Sequence, residues 1–497
     1  MPEVDHFDVV VVGAGISGIG AAYHLKTFCP DRTFTILEGR PQLGGTWDLF
    51  RYPGVRSDSD MHTLGYSFKP WKARKTIADG PSILEYLHET VAEYDIERHI
   101  QFNHLVTNAR WSSDDARWTV ETTRADTGEA LSYTCNFLFM CSGYYSYKGG
   151  YEPEFPGADR FGGPIIHPQK WPDDLDYANK KVVIIGSGAT AVTLVPAMAD
   201  TAASVTMLQR SPTYVVASPS EDAMANRLRK VLPEKVAYEL VRKRNVWRGD
   251  MIYQKTRTDP DKVRDMLLKE VRKELGDDYD VDTHFTPTYN PWDQRMCLVP
   301  DSDLFEALRS GKADVVTDHI ETFTETGIQL ESGKHLDADI IITATGLQLV
   351  TLGEMDFEID GQAVDFSEVF TYKGLAYSDV PNLVSSFGYI NASWTLRADL
   401  TCEYVCRLLN HMTETGTQIC TPKLRPSDAD MPRRPWIDDF SAGYMQRMMP
   451  MMPKQGDRAP WLNTQRYASD KKLFREGPIA DGVMRFERVR EPARTGT

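Results

Sequence analysis

The sequence predicts an α/β protein of two doubly wound domains, the second inserted in the first and itself carrying a helical insertion. Three observations predict this. An apolar strand running into a glycine-rich turn occurs twice, at residues 7–18 and 181–191. Two later apolar runs, 137–143 and 339–346, end in small residues, as strands do where they pass close to a bound group. Between Asn226 and Lys273, fifteen Lys or Arg face seven Asp or Glu, Gly is scarce, and apolar residues recur at helical spacing. The turns make both domains Rossmann-like, and the two later runs are the expected crossings between them. Residues 1–146 and 346–497 are thus assigned to the first domain, 147–345 to the second, and about 218–285 to the helical insertion.

The first turn follows Asp8-Val9-Val10-Val11-Val12, a β-branched run suited to a strand buried on both faces. Gly13-Ala14-Gly15-Ile16-Ser17-Gly18 then opens a helix. Gly13 permits the tight turn, Gly15 lets the backbone approach a pyrophosphate, and Gly18 lets helix and strand pack closely. The helix N-terminus offers free N–H groups to the phosphates. Glu38 ends the next strand twenty residues beyond Gly18, where a carboxylate accepts both ribose hydroxyls. Gly44-Gly45-Thr46-Trp47 follows, with glycines for close approach and an indole to cover an aromatic ring. That feature points to a flavin in the first site.

The second turn, Gly186-Ser187-Gly188-Ala189-Thr190-Ala191, repeats the arrangement with alanine last. Here the following strand ends in Arg210-Ser211 where the first domain has Glu38. A guanidinium binds a 2′-phosphate bidentately and an acid repels it, so NADPH is expected over NADH. Within the insertion one helix is well marked. Asp259 is its N-cap, Pro260 its first position, Val263, Met266, Leu267 and Val271 its apolar face, and Gly276 its stop. The basic excess reads first as a solvated face, with NADPH recruitment or weak membrane contact as alternatives. From about Arg425 the chain is rich in Pro, Arg and Met and should wrap the surface, the methionines at 448–452 filling gaps rather than binding metal.

Composition bounds the function. A chain of 497 residues, 41% hydrophobic, buries a core larger than one domain needs. The formal charge of −15 argues against global attraction to nucleic acid or anionic membranes and favours a small diffusible substrate. No apolar run reaches transmembrane length. The first strand starts within ten residues of Met1 without a secretory leader, and the seven cysteines form no CxxC pair, so a cytoplasmic protein without disulfides or a metal site is expected.

The motifs together resemble the type I Baeyer-Villiger monooxygenases, within the class B flavoprotein monooxygenases, over essentially the whole chain. Their fingerprint FxGxxxHxxxW followed by Pro or Asp is met by Phe161, Gly163, His167, Trp171 and Pro172. A second, GGxWxxxxYPGxxxD, is met by Gly44, Gly45, Trp47, Tyr52, Pro53, Gly54 and Asp58. Residues 51–60, 289–295 and 391–396 look like the ethionamide-activating (thioamide-prodrug) branch.

The resemblance implies FAD contacts at Ser17, Glu38, Thr46, Trp47, Asp48, Leu49, Asp58 and Val106. It implies NADP contacts at Arg56, Ser57, Asp58, Gly186, Ser187, Gly188, Ala189, Thr190, Ala191, Val192, Arg210 and Ser211. Arg295 aligns with the family's catalytic arginine, beside Gln294 where many relatives have lysine. The implied reaction inserts one atom of O2 into a ketone, or oxygenates a thioether or thioamide, through a C4a-peroxyflavin that Arg295 stabilises while Asp58 places the guanidinium. An Arg295–Asp58 ion pair that only holds the domains together is the structural alternative. His167 is implied to shape domain motion rather than transfer protons. Trp394 and Trp461 are read equally as lining the substrate or nicotinamide region or as core.

Three other classes share part of this pattern. A disulfide reductase needs a cysteine pair near the first flavin segment, and none lies between Gly44 and Asp60. An N-hydroxylating or flavin-containing monooxygenase shares the flavin cycle but usually has Tyr or Phe where Trp171 stands. A non-catalytic NADPH-binding regulator has no need of Arg295 or Asp58. Neither the individual substrate nor the oligomeric state is fixed by the sequence.

Overall fold

The computed structural model describes residues 4–438 and 440–489. Two sheets organise the chain. In the first, the strand Asp5–Val12 lies between two parallel neighbours, Phe34–Leu37 and Ala130–Met140. That central position explains the valine run, since Val9, Val10 and Val11 are fully buried between layers on both faces. The antiparallel strands His104–Ser112 and Arg117–Arg124 extend the sheet beyond Ala130–Met140.

Three later strands return to this sheet: Asp356–Ile359 pairs with His104–Ser112, Gln362–Ala363 with Asp356–Ile359, and Leu383–Ser385 with Ala130–Met140. The chain between Met140 and Asp356 belongs to other layers. The second sheet is wholly parallel, in the order Ala313–Thr317, Ser204–Gln209, Lys181–Ile185, Ile340–Thr343, Ile165–Ile166. The protein is thus an α/β fold of two Rossmann-like domains, the second interrupting the first. Two antiparallel segments, Tyr145–Gly150 and Leu347–Leu349, run side by side between them.

The basic stretch is helical, as Ala223–Val231, Glu234–Thr258, Pro260–Leu275 and Val281–Phe285. Pro260 opens its helix and Gly276, at φ +87°, stops it. The predicted face needs correction: Val263, Leu267 and Val271 are buried with Leu268, whereas Met266 is 55% exposed. Val263 and Leu267 pack against Tyr214, Val216, Tyr289 and Met296, Val271 joins the second domain's core, and Met266 falls outside that i, i+4, i+8 row. Asp259 precedes the helix but its side chain caps no N–H.

The helix Glu234–Thr258 is anchored on the first domain. Its Arg242 Nη1 donates to the carbonyls of His62 (2.8 Å) and Gly65 (2.7 Å), and Tyr238 donates to Tyr66 O (2.9 Å).

The C-terminal segment does more than wrap the surface. Trp436, Ile437, Phe440, Met445, Met448, Met449 and Met452 form a buried cluster against Tyr144, Tyr145 and Phe387, while Met451 is exposed. Among the described residues no group of His, Cys, Asp or Glu is placed to hold a metal.

Candidate active site

One continuous cleft of about 1490 Å³ runs from the first glycine turn, past Asp58 and Arg295, to the second glycine turn and Arg210. The first turn ends where a helix begins at Ile16, so the amides of the opening turn face the cleft. Gly18 sits where helix meets strand; a Cβ there would lie 1.8 Å from Gly13 O. Glu38 is buried, its Oε2 accepting Ala14 N–H at 2.7 Å and its Oε1 accepting Arg40 N–H at 2.9 Å. Each oxygen keeps a further lone pair, which suits a ribose diol. Burial pushes this carboxyl above its ordinary pKa, against the downward pull of the two N–H donors. The buried carboxylate and the amide donors of the turn together fit the ribose and pyrophosphate of FAD.

Gly13, Gly15, Ser17, Gly45, Thr46, Trp47 and Val106 also line the cleft, and Trp394 Nε1 donates to Ser17 Oγ at 2.7 Å. Gly18 packs helix on strand, as its place in the turn requires, and does not reach the cleft; of the implied FAD contacts, Asp48 and Leu49 do not line it. Asp48 is buried because it pairs with Arg40 and with Arg51 (3.1 Å), two guanidiniums that consume its lone pairs.

In the second domain Gly186, Ser187, Gly188, Ala189 and Thr190 line the cleft, with Arg210 and Ser211 beyond them. Ser187 Oγ donates to Ser211 O at 2.9 Å and joins the turn to the end of the next strand. Arg210 is exposed and has no ion-pair partner among the described residues, leaving its fork free for a phosphate. Ala191 and Val192 are buried in the domain core, because they lie on the inward face of the helix Ala189–Ala199.

The segment 52–58 reaches across from the first domain. Gly54, at φ +76°, packs on that same helix; a Cβ would lie 2.7 Å from Ala197 Cβ and 3.1 Å from Thr193 O. Arg56 pairs with Asp303 at 2.5 Å, and Arg56, Ser57 and Asp58 all line the cleft. Where the two halves meet, Arg295 Nη1 lies 2.5 Å from Asp58 Oδ2, the two side chains 32% and 37% exposed. Burial opposes the charged guanidinium, but Asp58 and three tyrosines outweigh it and hold Arg295 well above its ordinary pKa.

No sequence motif marks those tyrosines. Tyr444 is an electrostatic neighbour of Arg295, Tyr144 and Tyr145 share a hydroxyl contact of 2.8 Å, and Tyr144 stacks on Trp394 with ring centres 5.1 Å apart. The small-residue strand end before Ser142-Gly143 was a signal for Tyr144 and Tyr145. Nothing local signals Tyr444, which arrives from the C-terminal segment. Of the two doubtful tryptophans, Trp394 lines the cleft, whereas Trp461 is fully buried with its Nε1 donating to Asp428 at 3.0 Å.

The Phe161 to Pro172 fingerprint brackets the edge strand Ile165–Ile166, with Phe161 and Gly163 before it and His167, Trp171 and Pro172 after it. Phe161 and Trp171 pack on the second domain's cores, and a Cβ on Gly163 would lie 2.2 Å from Asp339 O. Pro172 follows directly and lines a side depression next to His167, apart from the main cleft. His167 Nδ1 accepts Gln169 N–H at 3.2 Å, so its Nε2–H donates to Gly346 O at 3.1 Å. Its ring also rests on Gly150. It therefore touches both antiparallel segments between the domains and stands outside the cleft. Burial lowers its pKa and keeps it neutral.

Two nucleotide cradles joined by a cleft with a paired arginine at the junction define a flavoprotein monooxygenase that uses FAD and NADPH. The chain belongs to the family described as flavin-binding monooxygenase-like, whose model matches residues 76–375; a second model, an NAD(P)-binding Rossmann-like domain, matches residues 11–73. It is 54% identical over 493 residues, 99% of each chain, to the FAD-containing monooxygenase EthA of Mycobacterium tuberculosis. It is 50% identical over 488 residues, 97% of each chain, to the putative FAD-containing monooxygenase MymA of the same species. Among solved structures, an oxidized steroid monooxygenase bound to NADP superposes with a TM-score of 0.77 at 24% identity, covering 97% of this chain and 100% of that one.

Proposed function

We propose that this monooxygenase inserts one oxygen atom of O2 into ketones, giving esters or lactones, and oxygenates thioether and thioamide sulfur at the same site. NADPH supplies two electrons, one oxygen atom enters the product and the other leaves as water. FAD, when bound, supplies the oxygen-transfer chemistry.

The observation that carries this reading is the Arg295–Asp58 pair at the junction of the two cradles. Oxygen insertion beside a carbonyl builds negative charge on its oxygen, and a fixed cation in a partly dry cleft stabilises it by roughly 3 kcal/mol. Asp58 holds the guanidinium in place. Tyr144 and Trp394 supply an apolar wall that excludes water from the reacting carbonyl. Glu38 binds the flavin ribose, and Arg210 with Ser211 binds the 2′-phosphate of NADPH. His167 acts on domain geometry, since its two nitrogens are committed to Gln169 and Gly346.

The test is NADPH oxidation by the FAD-loaded enzyme with linear ketones, cyclic ketones, thioethers and amines, products being identified by mass. Esters and sulfoxides are expected. Nitrogen oxidation with neither product overturns the proposal in favour of an N-oxygenating enzyme.

A further inference from the structure

The helix Glu234–Thr258 has two apolar faces, and only one is covered. Towards the protein it buries Ala237, Tyr238 and Val241. On a second face, turned about 120° from the first, Val236, Leu240, Trp247 and Met251 are 45%, 46%, 65% and 41% exposed. At 3.6 residues per turn their spacing places all four within about 60° of arc, in a stripe about 22 Å long. The preceding helix Ala223–Val231 adds Met224 and Val231, also exposed. Isolated exposed apolar residues are ordinary, but a contiguous stripe marks a contact surface.

The rim of this stripe is cationic. Arg227, Lys230, Lys235, Lys243, Arg248 and Lys255 are all exposed, and none has an ion-pair partner among the described residues. On the same two helices the acids without such a partner are Glu239 and Asp250; Glu234 lies 3.5 Å from Lys72. This local excess sits on a chain whose formal charge is −15.

We propose that this face docks on an anionic lipid surface, with Leu240 and Trp247 entering the headgroup boundary and the six cations meeting lipid phosphates. Charge selects the occupant. A two-fold pair of copies through this face would set these cations against their duplicates. One stripe is also narrower than the roughly 20 residues a side of a stable protein interface. Among the described residues no helix is long and apolar enough to cross a membrane, so the contact lies in the interfacial plane.

Flotation of the full-length, FAD-loaded protein with vesicles tests this, comparing phosphatidylcholine alone with an equal mixture of phosphatidylcholine and phosphatidylglycerol. Binding to the anionic vesicles is expected, weakening as salt rises. The double variants Leu240→Ser/Trp247→Ser and Lys243→Glu/Arg248→Glu should each lose on the order of tenfold in vesicle affinity. Both should retain flavin absorbance and turnover of a water-soluble substrate, since none of these residues lines the cleft. Equal binding to the two vesicle types, or anionic binding untouched by Leu240→Ser/Trp247→Ser, overturns the proposal. So does stripe-dependent dimerisation in lipid-free buffer, which would make a second copy the occupant.

Discussion

Arg295 Nη1 stands 2.5 Å from Asp58 Oδ2 across 237 residues of sequence, and this contact joins the segment before the second sheet's last strands to the loop that crosses from the first domain. Replacing the cation removes the charge at the junction of the cradles. Arg295→Ala should keep FAD bound and lower ester formation by about a hundredfold or more, the cost of one oxyanion-stabilising group. NADPH oxidation should then yield hydrogen peroxide instead of product. Undiminished ester formation, measured by product mass, would remove the assigned role.

Asp58 acts through Arg295. Asp58→Asn keeps the shape and removes the carboxylate charge, so kcat should fall by about tenfold with KM for NADPH nearly unchanged, because the pair is partly solvent-screened. A purely structural role predicts instead a loss of thermal stability with kcat preserved. Steady-state kinetics beside a melting curve separates the two.

Arg210 has a free fork at the end of the second cradle. Arg210→Gln should raise KM for NADPH by about tenfold or more and leave KM for NADH within about twofold, since only NADPH carries the 2′-phosphate. Equal effects on both nucleotides would place Arg210 outside the phosphate site.

Gly54 meets the helix Ala189–Ala199 at positive φ with Ala197 Cβ and Thr193 O already at the limit of contact. Gly54→Val should cost about 2 kcal/mol or more, from backbone strain and steric overlap together. Thermal melting of the FAD-loaded variant checks this, and a Tm equal to that of the parent would show that the loop yields at no cost.

Four histidines, His24, His99, His167 and His284, are each lowered by burial below their ordinary value of 6.5. A base whose folded pKa is lowered binds fewer protons folded than unfolded. Its contribution to stability is therefore intact above 6.5 and lost as pH falls from 6.5 through the folded value. The protein should lose Tm on acidification through that range, and His167→Gln should lose less than the parent between pH 8 and pH 5.5 by differential scanning calorimetry, on the order of 1 kcal/mol. Parallel curves for the two proteins would exclude His167 from the effect.

The sequence determined what short-range sterics and period decide. Consecutive valines, glycines at fixed offsets and an acid or arginine at the next strand end are local requirements of a nucleotide cradle, so both glycine turns and the places of Glu38 and Arg210 along the cleft were legible residue by residue. The helical insertion was legible from its spacing, although Met266 was misread because an amphipathic period does not say which edge of the stripe meets a neighbour. Tertiary structure alone decided the rest. Asp48 is drawn away from the cleft by Arg40 and Arg51, and Trp461 is committed to Asp428 while Trp394 faces Ser17. Tyr444 is brought to Arg295 by a segment that appeared to be surface wrap. Each of these outcomes is a competition among partners distant in sequence for one buried position, and such competition is settled by packing and charge pairing in three dimensions, where local pattern has no bearing.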